Sequence, residues 1–148
     1  MLDLSHFIGR NEYLKEQFVK DLGFAFESIG FVAINNHGYS TKDQKKLYNS
    51  IKEFYDLPED IKFKYNGHRT GGQRGYTGKR MEHAAGRNVG DLKEFYHIGK
   101  EIKGSDSPHY QANIFPSEVP DFQIQTLNTY SYLEQIGKSI LSAIALFL

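Results

Sequence analysis

The chain has 148 residues, and 18 basic side chains balance 18 acidic ones. That neutrality supplies no global field to steer nucleic acid or an anionic membrane, so any electrostatic function is local. Without cysteine there is no disulfide framework, no thiolate metal site and no cysteine nucleophile.

The length suits one domain able to bury roughly 68–70% of its unfolded surface. The start, "MLDLSHFIGR", lacks the charged segment and apolar run of a signal peptide. The most apolar stretch, 140–148, falls far short of the ~20 residues that span a bilayer. These features predict a soluble, cytoplasmic protein with no membrane partner.

In chain order, residues 1–4 read as the end of a short strand. Asn11 is a fitting N-cap for a helix to about Ile29, with Leu14, Phe18, Leu22, Phe26 and Ile29 on one face and Gly30 as the stop. "FVAIN" (31–35) is apolar and β-rich, a buried strand, and "NHG" turns the chain at Gly38. Thr41 and Gln44 form a capping box for a second helix, buried along Leu47, Ile51 and Phe54. Pro58 ends it and opens a short third helix, "PEDIKFKY".

The glycine-rich loop "GHRTGGQRGYTGKR" (67–80) follows. "DLKEFYHIG" (91–99) then alternates as a strand does, with Leu92, Glu94, Tyr96 and Ile98 on one face and Lys93, Phe95 and His97 on the other. Residues 100–117 read as loop. The strongest helix runs from Pro120 to the end along Phe122, Leu127, Tyr130, Leu133, Ile136 or Gly137, Ile140 and Ile144. It carries no stop signal, which predicts a chain that breaks off inside a hydrophobic helix.

The loop at 67–80 fails the phosphate-binding patterns. A P-loop needs G-x-x-x-x-G-K-[ST], but Gly72 and Gly78 are one residue too far apart and Lys79 is followed by Arg80. No two of its glycines stand at G-x-G spacing. Its two G-x-x-G steps lack the apolar helix that enters such a loop in RNA-binding KH domains. RNA binding through an arginine–glycine–tyrosine segment stays open as an alternative, as does a plain exposed loop. The histidines, at 6, 37, 68, 83, 97 and 109, form no H-x-H, H-x-x-x-H or H-x-[DE] pair. Glu94 with His97 makes one E-x-x-H, whose members face opposite ways on a strand. There is no G-x-S-x-G elbow. By its own residues the chain has no complete active site, and no metal ligands are assigned.

Several segments together resemble one family. "LDLSHF", "FVAINNHGY", "YNSIKEFYDLPEDIKFKY", "GQRGYTG", "DLKEFYHIG" and "NIFPSEVPDF" stand in the order seen in iron(II)- and 2-oxoglutarate-dependent oxygenases of the isopenicillin N synthase-like group. The resemblance is to the N-terminal region of that family and covers roughly residues 3–145. It implies an α+β fold, in which N-terminal helices and a few strands pack on a double-stranded β-helix (jelly-roll) core absent from these residues. Residues 1–148 would then be a non-haem dioxygenase N-terminal domain, ending inside the long helix that leads to the jelly-roll.

The family's iron is held by H-x-D and a distant histidine, and its 2-oxoglutarate by R-x-S; none of these patterns occurs in this sequence. The resemblance therefore implies the substrate-side portion of an oxidoreductase, inert alone, with Fe(II) and 2-oxoglutarate as cofactors of the complete enzyme. Its partners would be a small-molecule substrate and its own jelly-roll domain, with no nucleic acid. The segment around "RGY" lies near the barrel mouth in the family. This makes Arg74, as a partner for a substrate carboxylate, and Tyr76, as a pocket wall, the first substrate-proximal candidates. Glu82, Lys93, Glu94 and Tyr96 come second. The competing expectations are that Arg74 pairs with Glu94 and that Tyr76 only packs; with Arg74 as the substrate contact, Lys79 and Arg80 at the loop's exposed end are expected to contribute little. Two other functional classes stand beside this one: a stand-alone, non-catalytic interaction module, and an RNA-binding protein acting through 67–80.

Overall fold

Asp3 sets the course of the N-terminus. It ends strand β1 (Leu2–Asp3) and caps helix α1 (Leu4–Ile8), accepting from the Ser5 amide at 2.9 Å. Its other carboxylate oxygen accepts from Asn36 Nδ2 at 2.6 Å, tying down a turn whose φ is 48°. The hydrogen bonds from Ser5 and Asn36 hold the Asp3 carboxyl below its ordinary value. The structure is a computed structural model that describes residues 1–86, 89–102 and 110–148.

Helix α2 (Glu12–Ser28) starts where Asn11 Oδ1 accepts from the Leu14 amide at 3.2 Å, and Gly30 follows it with φ +81°. Strand β2 (Ile34–Asn35) pairs parallel with β1, Leu2 opposite Ile34 and Asp3 opposite Asn35. Helix α3 (Thr41–Tyr55) begins at the predicted capping residue, and α4 (Glu59–Phe63) begins directly after Pro58. A 3₁₀ turn (His68–Thr70) leads to β3 (Gly75–Thr77), which pairs antiparallel with β4 (Phe95–His97). The long helix α5 (Pro120–Phe147) closes the order. Helices with a few short strands make this an α+β arrangement.

The chain forms two compact units, one of Met1–Thr41 with Ser131–Leu148 and one of Lys42–Tyr130. In the first, Leu4, Phe18, Leu22 and Ala143 form the buried core, with Ile140 and Ile144 packed against it. Full burial of each large side chain there stabilises by about 1.5–3 kcal/mol. At Gly23 a Cβ would meet the Phe147 ring at 2.2 Å, so a larger residue there requires that ring to move. In the second, Phe54 is the hub. Its ring lies 4.9 Å from Tyr96, 5.5 Å from Phe122 and 5.6 Å from Tyr76, centroid to centroid, mostly edge to face.

Several sequence expectations change. The strand expected over 31–35 is only Ile34–Asn35, because its partner β1 is two residues long; Phe31 is 82% exposed. The α2 stripe loses its last members, Phe26 and Ile29, to solvent, and Val19 joins the core instead. Helix α1 has no sequence signal, since five residues are too few to show a period. The strand expected over 91–99 pairs only at 95–97, the length of β3, and Leu92 is 72% exposed. On α5, Leu133 faces water while Thr126 and Ala143 are buried. Thr126 satisfies its hydroxyl on the Phe122 carbonyl at 2.7 Å, so a polar residue fills a position that hydropathy passes over. Residues 103–109 of the expected loop, His109 among them, lie outside the described residues.

Candidate functional site

The glycine-rich loop is closed by its own backbone. The amides of Thr70 and Gly72 both donate to the Gly67 carbonyl, at 3.0 and 2.8 Å, and the Gly67 amide donates to Tyr76 O at 3.1 Å. Thr70 Oγ1 accepts from the Arg74 amide at 3.1 Å and lies 2.9 Å from Gly67 O and 3.0 Å from Arg74 O. A phosphate cradle needs amides that point outward without partners; these point into the loop.

Gly75 then enters β3 at φ +86°, where a Cβ would lie 2.5 Å from the Tyr65 carbonyl and 2.9 Å from Ile114 Cδ1. Glycine alone fits both the dihedral and the approach. The next residue, Tyr76, donates its amide to that same Tyr65 carbonyl at 2.8 Å and turns its ring inward, 2% exposed.

A carboxylate gathers the surrounding polar groups. Glu94 Oε2 accepts from Tyr76 Oη at 2.5 Å and from Lys62 Nζ at 2.8 Å; Lys79 Nζ stands 3.7 Å from Oε1. Lys62 is buried, 8% exposed, with its ammonium 5.6 Å from the centroid of the Tyr76 ring. Burial would raise the Glu94 carboxyl, but the hydrogen bonds from Lys62 and Tyr76 outweigh it and hold the group below its ordinary value. Burial, then the bond to Glu94, raises the Tyr76 phenol. Glu94 is thus an anion with its oxygens engaged and Tyr76 a neutral phenol, a pair that braces α4, β3 and β4.

The six sequence candidates divide. Tyr76 and Glu94 meet as described. Glu82 lies with Lys93 at 3.6 Å, and Lys93 also reaches Asp91 at 3.3 Å. Tyr76 and Glu82 border a recess of about 160 Å³, together with Phe63, Gly67, Gly78 and Met81. Tyr96 is partly buried against the aromatic core, its hydroxyl donates to Ile114 O at 2.6 Å, and burial raises its phenol. Arg74 does not pair with Glu94: its Nη1 donates to Gln73 O at 2.6 Å and its guanidinium lies against Gly99.

No sequence pattern marks Lys62. On a five-residue helix, period cannot tell inward Lys62 from outward Lys64. Gly99, Asn113 and the ion pair of Lys79 are likewise invisible in the sequence, since each depends on a partner distant along the chain.

Residues 1–121 match the family described as non-haem dioxygenase in morphine synthesis, N-terminal. The chain belongs to this family, the N-terminal region of the isopenicillin N synthase-like iron(II)/2-oxoglutarate oxygenases. Among relatives of this oxygenase region, the 2-oxoglutarate-Fe(II) type oxidoreductase hxnY of Emericella nidulans is 28% identical over 100% of this chain and 45% of its own length. The 1-aminocyclopropane-1-carboxylate oxidase of Dictyostelium mucoroides is 30% identical over 100% of this chain and 42% of its own length. A crystal structure from Caulobacter crescentus, assigned to the 2OG-Fe(II) oxygenase family, superposes with a TM-score of 0.78 at 33% identity, over 88% of this chain and 43% of that one. A full-length Neurospora crassa protein, solved in complex with alpha-KG and thymine, shares the fold at TM-score 0.79 and 23% identity, over 97% of this chain and 46% of its own. The chain thus spans less than half the length of each of these four relatives. Among the described residues, no helix is long and apolar enough to cross a membrane.

Proposed function

We propose that this chain is the N-terminal, substrate-side portion of an iron(II)/2-oxoglutarate-dependent oxidoreductase, inert without the remainder. The observation that carries the reading is the family match over residues 1–121 in relatives whose length is more than twice that covered. The residues present do not fit iron: among the described residues no three of His, Asp and Glu come together, and the sequence has no H-x-D. No chemical step is assigned to them. In this proposal iron(II) and 2-oxoglutarate belong to a jelly-roll part of the complete enzyme.

What this part contributes is recognition of a small-molecule substrate. Arg74 pairs with a substrate carboxylate, Tyr76 and Glu82 wall a pocket, and Lys93 keeps Glu82 in place. Glu94 and Tyr96 act from behind that wall, Glu94 by fixing the Tyr76 ring and Tyr96 by packing beneath it. Sequencing the natural gene past codon 148 tests the assignment. An open frame carrying H-x-D within about 100 residues is expected; a stop codon there instead sinks it and favours a non-catalytic module. In the complete enzyme, Arg74→Ala should cost about 1.5–3 kcal/mol in kcat/KM for an anionic substrate, the worth of a hydrogen bond to a charged group. The affinity for 2-oxoglutarate should stay unchanged.

A further inference from the structure

One side chain holds both polar backbone groups of Gly99. Its amide donates to Asn113 Oδ1 at 2.8 Å, and Asn113 Nδ2 donates back to its carbonyl at 2.8 Å. This is the exchange two residues make across an antiparallel ladder, here supplied by an amide side chain just past β4.

The floor so fixed carries Arg74. A Cβ on Gly99 would fall 2.0 Å from Arg74 Cζ, 2.1 Å from Nη2 and 2.4 Å from Nε. The guanidinium therefore occupies the place a side chain at Gly99 would need, with Cζ, Nη2 and Nε all within 2.4 Å of it. The arginine backbone is held as well, its amide bonded to Thr70 Oγ1.

Its donors are not all used. Among the described residues Nη1 has the Gln73 carbonyl, while Nε is buried and has no acceptor. A guanidinium stays charged, so a buried N–H of this kind is costly until an acceptor arrives. Of the groups around Gly99, Asn113 Oδ1 serves the Gly99 amide, and Asn113 Nδ2 also lies 3.3 Å from Glu101 Oε1.

We propose that Gly99 and Asn113 are positioning residues that hold Arg74 ready for a planar carboxylate. A single rigid fork matches the one charge and two coplanar oxygens of that group. This rests on the reading of Arg74 as a substrate contact. Gly99 leaves the room that the guanidinium occupies, and Asn113 keeps Gly99 from moving away.

The test titrates the 148-residue chain with benzoate while following the ¹H–¹⁵N resonance of Arg74 Nε, assigned by its loss in Arg74→Lys. The resonance should move saturably. Gly99→Ala and Asn113→Ala should each weaken benzoate by about tenfold or more, the loss of one charge-assisted hydrogen bond. Asn113→Asp, which keeps the acceptor for the Gly99 amide and loses the donor, should fall between. If Gly99→Ala fails to fold, the two Asn113 variants read the same quantity. Unchanged benzoate binding in folded Gly99→Ala or in both Asn113 variants overturns the positioning role and leaves Arg74 standing. A motionless resonance in the unaltered chain overturns both. Tighter binding of inorganic phosphate than of benzoate overturns the carboxylate class. None of these outcomes bears on the oxygenase assignment, which the downstream reading frame decides.

Discussion

The two compact units are stabilised by different physics. In the unit of Met1–Thr41 with Ser131–Leu148, the core is Leu4, Phe18, Val19, Leu22 and Ala143, and it buries no charged side chain among the described residues. In the unit of Lys42–Tyr130, an aromatic cluster around Phe54 encloses an ammonium, a carboxylate and a phenol. Apolar burial has no direction, so the first unit should respond to substitution in proportion to volume removed. A buried polar network is directional, and removing one member strands the others. The second unit should therefore fail abruptly where the first fails by degrees.

Phe54→Ala removes the ring that five other aromatic rings touch in the second unit and should cost most, about 3–5 kcal/mol. Leu22→Ala is its counterpart in the first unit, at about 2–5 kcal/mol. Chemical denaturation of the two variants ranks them. A larger loss for Leu22→Ala would reverse the comparison.

Lys62→Ala probes direction rather than volume. It leaves Glu94 partly buried without its closest cation, a change of about 3–5 kcal/mol when the pair is well shielded. Replacing both, Lys62→Met with Glu94→Leu, should recover most of the loss, because both stranded charges are gone. The pair also sets an acid response. Glu94 titrates below its ordinary value of 4.5 in the folded chain, so its stabilisation is complete above that value and is lost as the pH falls through the folded one. Melting temperature followed downward from about pH 5 should fall less steeply in Glu94→Gln than in the unaltered chain. Asp3 and Glu118, also lowered, supply the same background in both. Parallel slopes would mean that Glu94 is not held as an anion.

What is legible in the sequence follows the same division. Asn11, Gly30 and Pro58 act within three or four residues of themselves, so the local chain announces them. Phe54 and Phe122 are legible because each sits on a helix long enough to show its period. Lys62 answers to Glu94, 32 residues away, and Gly99 to Asn113, 14 away, and nothing near either one records the partner. The glycine-rich loop is readable as a turn, but that its amides close on its own carbonyls requires the strand β3 that follows it. The strands come out too long for a related reason: alternation marks which residues can pair, and the partner's length decides how many do.

Gly75→Ala should come next in size, at about 1–3 kcal/mol for a left-handed dihedral forced on a side chain, with the clash against Tyr65 O adding to it. The effect should appear in the aromatic signals of Tyr76 as well as in stability, since both residues share the Tyr65 carbonyl. Asn11→Ala should cost about 1 kcal/mol, the worth of one N-cap, with no effect on those signals.

The smallest expected effect is the most informative about the first unit. Phe31 is among its most exposed aromatic residues, so Phe31→Ser should alter the stability of the dilute chain by no more than about 0.5 kcal/mol. Apolar side chains this exposed, Phe24 and Ile29 among them, form surface that association can cover. If copies of the chain associate through it, Phe31→Ser changes the concentration dependence of melting and leaves the dilute value alone. Sedimentation of both proteins across a dilution series separates the two effects. A loss well above about 1 kcal/mol in dilute, monomeric chain would place Phe31 inside the first core, and the contrast between a tolerant apolar unit and a brittle polar one would have to be redrawn.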